Sequence, residues 1–447
     1  MRYAKEELEL DKALEKEWII TNGIGGFASS TIIGANTRKY HGLLVSPIIP
    51  PARRRLILSK LDESIEVGGK KYELFTNIGK NYISQGYKYQ ESFSKELLPT
   101  FEYKVEDVII TKTICMEHFK NTVGVYYKIK NGNYNAKLTL APIVNFRDFH
   151  TMNTNHQYNA KQNTNYQKVK IVLDNFIEHP IYFNSTDGKY IEHENDYFKN
   201  MYYLEEEKRG FYAEEDLYVP GHYEIDVDKN EEKEICFVCS LEENIEELNV
   251  KEIINKEIIR INKLIIQSEL IDIKKETDSK KDKEYREFIK DYVIASDNFI
   301  VNRQRFNLHT IIAGYPWFLD WGRDSMIAFE GLLLIPKRYD IAKEVLLTFI
   351  RDMKYGLVPN GYSGFDNRPL YNSVDASLLL FEQVKKFLNY TGDYKFVKDN
   401  LYVKMKEIIE AYKGKIDIDD NNIYLDEDNL IYSGTPQTQN TWMDAKY

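Results

Sequence analysis

The apolar and polar positions of this chain follow two different rhythms. Up to about residue 265 the apolar residues fall in short or alternating runs: STIIGA (30–35), GLLVSPII (42–49), RLILSKL (55–61), DVIITKTICMEH (107–118), VGVYYKIK (123–130), AKLTLAPIVNF (136–146), KIVLDNF (170–176), MYYLEEE (201–207) and EICFVCSL (234–241). Turn-forming stretches such as KNGNYNA, NSTDGKY and DVDKNEE separate them. Many short strands with polar turns predict a large antiparallel β-sandwich over residues 1–265. A helical segment near 242–268 closes it, with Ile253, Ile254, Ile258, Ile259, Ile261, Leu264 and Ile265 at helical spacing. Residues 266–284 hold the highly charged IDIKKETDSKKDKE and are read as the linker.

From 285 to 447 the rhythm becomes helical. EYREFIKDYVIASDNFIVNR, SMIAFEGLLLI, YDIAKEVLLTFIRDM, SVDASLLLFEQVKKFLNYTG and YKFVKDNLYVKMKEIIEAYKG predict about five helices, alternately joined by short turns and by long loops. Long loops gathered at one end of helical hairpins form a pocket rim.

Those loops carry the unusual chemistry. GYPWFLDWGRD (314–324) holds two of the four tryptophans, interleaved with acids and an arginine. Flat aromatic faces beside charged hydrogen-bonding groups suit a hydroxyl-rich ligand. Trp317 and Trp321 either wall such a pocket or plug the helix ends; Asp320, Arg323 and Asp324 favour the pocket. Asp324 also stands where the N-cap of a helix starting near Ser325 belongs. In LVPNGYSGFDNRPLYNSVDASLLLF (357–381), Tyr371 and Asn372 offer hydrogen bonds to hydroxyls. Asp375 lies in the first turn of the following helix, where a carboxylate also suits the helix dipole. NTWMDAKY (440–447) sets Trp442 two residues before Asp444. An apolar neighbour raises a carboxyl pKa toward what a general acid needs. Near the start, EWIITNGIGGFASSTIIGANTRKYHGLLV (17–45) lacks the spacing of a phosphate loop, so its glycines read as turn residues. Arg38 and His41 are either structural or reach toward a site.

Composition narrows the partners. The length predicts two or three domains. The balance of 43% hydrophobic and 29% charged residues is that of a soluble globular protein, and a net charge of −10 argues against a nucleic-acid partner. No stretch approaches the apolar length of a membrane span, and the charged N-terminal residues lack a secretory core, so a cytoplasmic protein is expected. Three cysteines make no disulfide framework. Cys236 and Cys239 lie on a predicted strand that sends them to opposite faces, as buried thiols rather than a metal site.

Three quoted segments together, NGIGGFASSTIIGANTRKYHGLLV, YPWFLDWGRDSMIA and YNSVDASLLLF…TWMDAK, resemble the prokaryotic glycogen debranching enzyme, or amylo-α-1,6-glucosidase, family. The likeness runs in order from Trp18 to Lys446. It implies a multidomain protein with an N-terminal antiparallel β-sandwich followed by an all-α domain of (α/α)6-toroid type. It also implies hydrolysis of α-1,6-linked glucosyl stubs on glycogen or limit dextrin, with inversion; no cofactor or metal is expected. On the resemblance, Arg323 and Asp324 grip the nonreducing glucose, Trp317, Trp321 and Trp442 wall it, and Asp444 is the general acid. A six-hairpin toroid needs more than twice the helices present here, so the toroid is expected to be incomplete in this chain. An inverting enzyme needs a second carboxylate about 6.5–9.5 Å from the acid. In the family that base lies beyond the TWMD segment, past Tyr447. The chain is therefore expected to show negligible glucosidase activity alone; Asp320, Asp366 and Asp375 are the carboxylates to test as base if it is active. The alternatives are another toroidal inverting sugar enzyme, a phosphorylase or a trehalase-like hydrolase, and a non-catalytic glucan-binding protein.

Overall fold

The computed structural model of the chain describes residues 1–154, 158–174, 176–245, 249–271, 279–418 and 421–443. They form two compact units. The first comprises Met1–Asn22, Gly26–Ile48 and Arg54–Ile259; the second comprises Gly23–Gly25, Ile49–Arg53 and Arg260–Tyr447.

The first unit is built from two antiparallel sheets, one of nine strands and one of twelve. Alternation creates their inner faces. In Pro99–Val105, Phe101, Tyr103 and Val105 are buried while Glu102 and Lys104 face outward. The two longest strands, Ala52–Val67 and Ala136–Asp148, pair with each other and break register at Ile143/Val144 and Val144/Arg147. Side chains of both sheets, among them Trp18, Phe93, Phe101, Leu138, Leu140, Phe183 and Phe237, form one core. The expected N-terminal antiparallel β-architecture is what these strands build.

Three local expectations give way. STIIGA does not continue as a strand: Phe27–Thr31 ends at Thr31, and Gly34 turns the chain with φ +69 while the Thr31 hydroxyl accepts from Ala35 N at 3.0 Å. Ile32 and Ile33 are buried from within the turn, which is why they mimic a strand in sequence. In MYYLEEE the strand stops at Tyr202, and Leu204–Lys208 is a short helix. Residues FIVNR leave the helical pattern, because Phe299 caps Lys280–Asn298 and Ile300–Arg303 pairs with Leu308–Ile311.

The helix at the end of the β-half is Val250–Ser268, and the division between units falls inside it. Part of the charged stretch read as linker is itself helical. Ser279 caps Lys280–Asn298 by accepting from Asp282 N at 3.4 Å, and charged residues on an exposed helix face look like linker in sequence.

The second unit follows the helical rhythm. Besides the part of Val250–Ser268 from Arg260 on, its helical segments among the described residues are Lys280–Asn298, Gly322–Phe329 with a wider turn over Glu330–Leu334, Tyr339–Arg351, Ala376–Thr391, and Tyr394–Phe396 running on through Val397–Leu401 to Tyr402–Lys413. Met326, Phe329, Leu333, Leu346, Phe349, Leu380, Phe387 and Leu401 fill the core between them. Gly392, with φ 65, ends Ala376–Thr391 in the left-handed cap that favours glycine. No described helix is long and apolar enough to cross a membrane.

Candidate active site

The loop before Gly322–Phe329 is fixed by a buried ion pair. Arg303 and Asp320 have side chains 1% and 0% exposed. Arg303 Nε donates to Asp320 Oδ2 at 2.8 Å and Nη2 to Oδ1 at 3.2 Å, while both terminal nitrogens reach Asn367 Oδ1 at 2.8 Å. The guanidinium lies 3.7 Å from the centre of the Tyr362 ring, whose hydroxyl donates to Asp352 Oδ2 at 3.1 Å. Asp320 is thus spent on holding the loop. The expectation that it contacts ligand is corrected: an acid with both oxygens engaged and no exposure has nothing left to offer.

The backbone continues the clamp. Asp320 and Trp321 bridge to Ile312 and Gly361, and Gly322 N donates to Asn360 O at 2.7 Å. A side chain at Gly322 would put its Cβ 2.1 Å from Pro359 O, so only glycine lets the helix start this close to the neighbouring loop. Trp321 is the residue before the first helical turn, and the helix begins at Gly322, three residues earlier than predicted. Asp324 therefore sits in the first turn rather than at the cap, where its charge still suits the helix dipole.

From this rigid start Arg323 extends to a second carboxylate. Arg323 Nε donates to both oxygens of Asp375, at 2.7 and 2.9 Å, and Ser373 Oγ donates to Asp375 Oδ1 at 2.6 Å. Asp375 precedes Ala376–Thr391; its side chain turns to Arg323, and Ser373 Oγ accepts from Ala376 N in its place. The start of one helix is thereby tied to the start of another. Arg323 Nη2 also donates to Asn440 O at 3.5 Å, and the same carbonyl accepts from Val374 N at 2.9 Å. Asn440 in turn donates to Asn421 O and to Ser433 Oγ, each at 2.9 Å. Asp324 stands beside this pair, and burial, reinforced by the nearby charge of Asp375, pushes its carboxyl above the ordinary 3.8.

The structure thus brings Arg323, Asp324 and Asp375 to one corner and anchors the segment leading to Trp442 there through Asn440. Trp317 is 36% and Trp442 72% exposed, and Trp321 makes an edge contact with Phe318 at 6.1 Å between ring centres. The Tyr371 hydroxyl donates to Asp352 O at 2.7 Å, so its phenol serves the scaffold; Asn372 is exposed, and its carbonyl accepts from Asn360. Asp444 lies outside the described residues. Each carboxylate named as a candidate base is engaged by an arginine: Asp320 by Arg303, Asp375 by Arg323, and Asp366 by Arg368. Hydrogen bonding from Ser363 and the charge of Arg368 hold the Asp366 carboxyl below its usual range.

Sequence reading missed Arg303, Tyr362 and Asn367, which hold the loop, and Asn360, Asn421 and Asn440, which knit the corner. Their signal was weak because asparagine is abundant in this chain and loop asparagines look like turn residues. In the first unit, Arg38 Nε donates to Glu17 Oε1 at 2.7 Å and His41 Nδ1 accepts from Thr37 N at 3.1 Å, which are structural uses. Cys236 and Cys239 are free and buried, and burial raises both thiols.

A family model described as the N-terminal part of glycogen debranching enzyme matches residues 16–234, and one described as amylo-α-1,6-glucosidase matches residues 294–447. The chain is 35% identical over 92 residues to the glycogen debranching enzyme of Saccharomyces cerevisiae, a stretch that is 20% of this chain and 6% of the yeast protein. Among solved structures it is similar to a bacterial glucoamylase complexed with acarbose, at 13% identity and a TM-score of 0.46, over 90% of this chain and 57% of that one. It spans little more than half the length of that glucoamylase and a small part of the yeast enzyme. By its two successive family matches, this chain belongs to the glycogen debranching enzyme family.

Proposed function

We propose that the helical unit is the glucose-gripping part of an inverting α-1,6-glucosidase of (α/α)6-toroid type that acts on the branch stubs of glycogen or limit dextrin. The observation that carries the reading is the Arg323 corner. Arg323 is held rigidly by Asp375 through Nε alone. Among the described residues its Nη1 donates to nothing, and Nη2 makes only the long bond to Asn440 O. That spare donor capacity and the neighbouring Asp324 carboxyl form a donor–acceptor pair suited to the vicinal hydroxyls of a terminal glucose. Charge-assisted bonds of this kind are the strong ones in sugar recognition. Trp317 and Trp321 supply apolar walls.

In this reading Asp444 protonates the leaving glycosidic oxygen. Inversion then requires water to attack the opposite face of the ring, with a carboxylate taking its proton.

Limit dextrin is the test substrate. Glucan binding that is lost in Arg323→Ala and kept in Asp444→Asn supports the assignment, as does β-glucose as the first product wherever hydrolysis occurs. Glucose 1-phosphate released only with added phosphate makes the site a phosphorylase instead. Binding without product under either condition leaves a glucan-binding module. Failure to bind glycogen or limit dextrin overturns the proposal.

A further inference from the structure

Phe365 is an exposed aromatic that neither the core nor the Arg323 corner uses. The residue is 77% exposed. Single exposed apolar residues are ordinary on protein surfaces, but the turn that presents this one is pinned throughout. Ser363 N donates to Arg368 O at 2.8 Å and Asn367 N to Ser363 O at 3.0 Å, while the Ser363 hydroxyl accepts from Phe365 N at 3.3 Å and Asp366 N at 3.5 Å. Asn367, with φ 62, is buried and ties the root of the turn to Arg303. The tip therefore cannot fold back to hide the ring.

A second segment is drawn to the same tip. Arg53, in the short stretch Ile49–Arg53 that groups with this unit, donates its N–H to Gly364 O at 3.0 Å. Its guanidinium lies 5.6 Å from the centre of the Phe365 ring. Arg53 itself holds a left-handed φ of 54, so the backbone is committed to this placement. The turn also lies along the tryptophan loop: Gly361 bridges to Trp321, and a Cβ at Gly364 would stand 3.5 Å from Leu319 Cδ1. Trp317 and Phe318, 36% and 50% exposed, belong to that loop. Asp366, the next residue of the same turn, is ion-paired with Arg368.

A ring face offered rigidly with hydrogen-bonding groups at its edge matches a pyranose, which carries an apolar C–H face and equatorial hydroxyls. Rigidity removes the ordering cost that a mobile aromatic has on binding. We propose that Phe365 and Arg53 form a further subsite that stacks a glucosyl residue of an α-1,4-linked glucan chain, separate from the one that grips glucose at Arg323. This rests on the glucan reading above and adds chain-length recognition to it.

The test is calorimetric titration of the full chain with maltotriose and maltoheptaose. Wild type is expected to bind the longer oligosaccharide more tightly. Phe365→Ala should weaken maltoheptaose binding about tenfold and bring the ratio of the two affinities toward one. Phe365→Trp should restore the ratio, and Arg53→Ala should lower it in part. Unfolding temperatures of the Phe365 variants should match wild type, because an exposed side chain adds little to stability. An unchanged ratio in Phe365→Ala, with wild type still binding glucan, overturns the subsite and leaves the Arg323 assignment intact. If wild type binds neither oligosaccharide nor limit dextrin, both readings fall.

Discussion

Two arginine–aspartate pairs anchor the helical unit, and they do different work. Arg303 and Asp320 are shut away from solvent, with every guanidinium nitrogen engaged by Asp320 or Asn367. Arg323 and Asp375 are 9% and 27% exposed, and among the described residues Arg323 Nη1 donates to nothing while Nη2 makes only a long bond. Asp320 and Arg323 stand three residues apart, so sequence proximity says nothing of the distinction. What separates scaffold from site is unused hydrogen-bonding capacity: a saturated buried pair can only hold shape, while a half-saturated one can still bind.

The sharpest way to break that contrast is to delete the acid of each pair. Asp320→Ala strands a buried arginine and should cost about 3–5 kcal/mol, read as a fall in the unfolding midpoint of the helical unit. Asp375→Ala, in a more exposed pair, should cost about 1 kcal/mol. Equal losses in chemical unfolding would mean that the two pairs do not differ as described. The next effect is on ligand. Arg323→Lys keeps the charge but loses the planar fork, and glucan affinity by calorimetry should drop about ten- to hundredfold with little change in stability. Arg303→Lys should show the opposite profile, stability lost first.

The smallest effect concerns Asp324. Its folded carboxyl titrates above the ordinary 3.8, so the folded state keeps the proton where the unfolded chain has released it. The stability it contributes is present below the unfolded value and is lost as pH rises through the folded one. Asp324→Asn should therefore gain on wild type as pH climbs from the ordinary carboxyl range through the raised folded one, as followed by urea midpoints at each pH. A variant that loses ground over that interval would show the carboxyl to be stabilised as the anion instead.

The same contrast explains how far the sequence could be read. The β-rhythm and the helical rhythm were legible, because burial on one face imposes a period on each. Arg323, Asp324 and Asp375 were legible as acids and a base at helix starts. Asp320 was misread, because its role depends on Arg303, which belongs to a strand pair that a helical pattern concealed. The amide set of Asn360, Asn421 and Asn440 was invisible, since a residue common everywhere in a chain carries no signal until its partners are known. Gly322 was also passed over; its reason is the carbonyl of Pro359, a neighbour 37 residues away.

The three cysteines have a practical consequence of their own. All of them, Cys115, Cys236 and Cys239, lie in the first unit, free and buried, and the two on strand Glu232–Ser240 join different apolar clusters. Thiolate, the form that reacts, is scarce in such surroundings. A thiol reagent therefore waits until the β-unit opens, and the helical unit has no sulfhydryl to report. Labelling rate is thus a clock for one half of the molecule, against which loss of helical signal can be timed in the other.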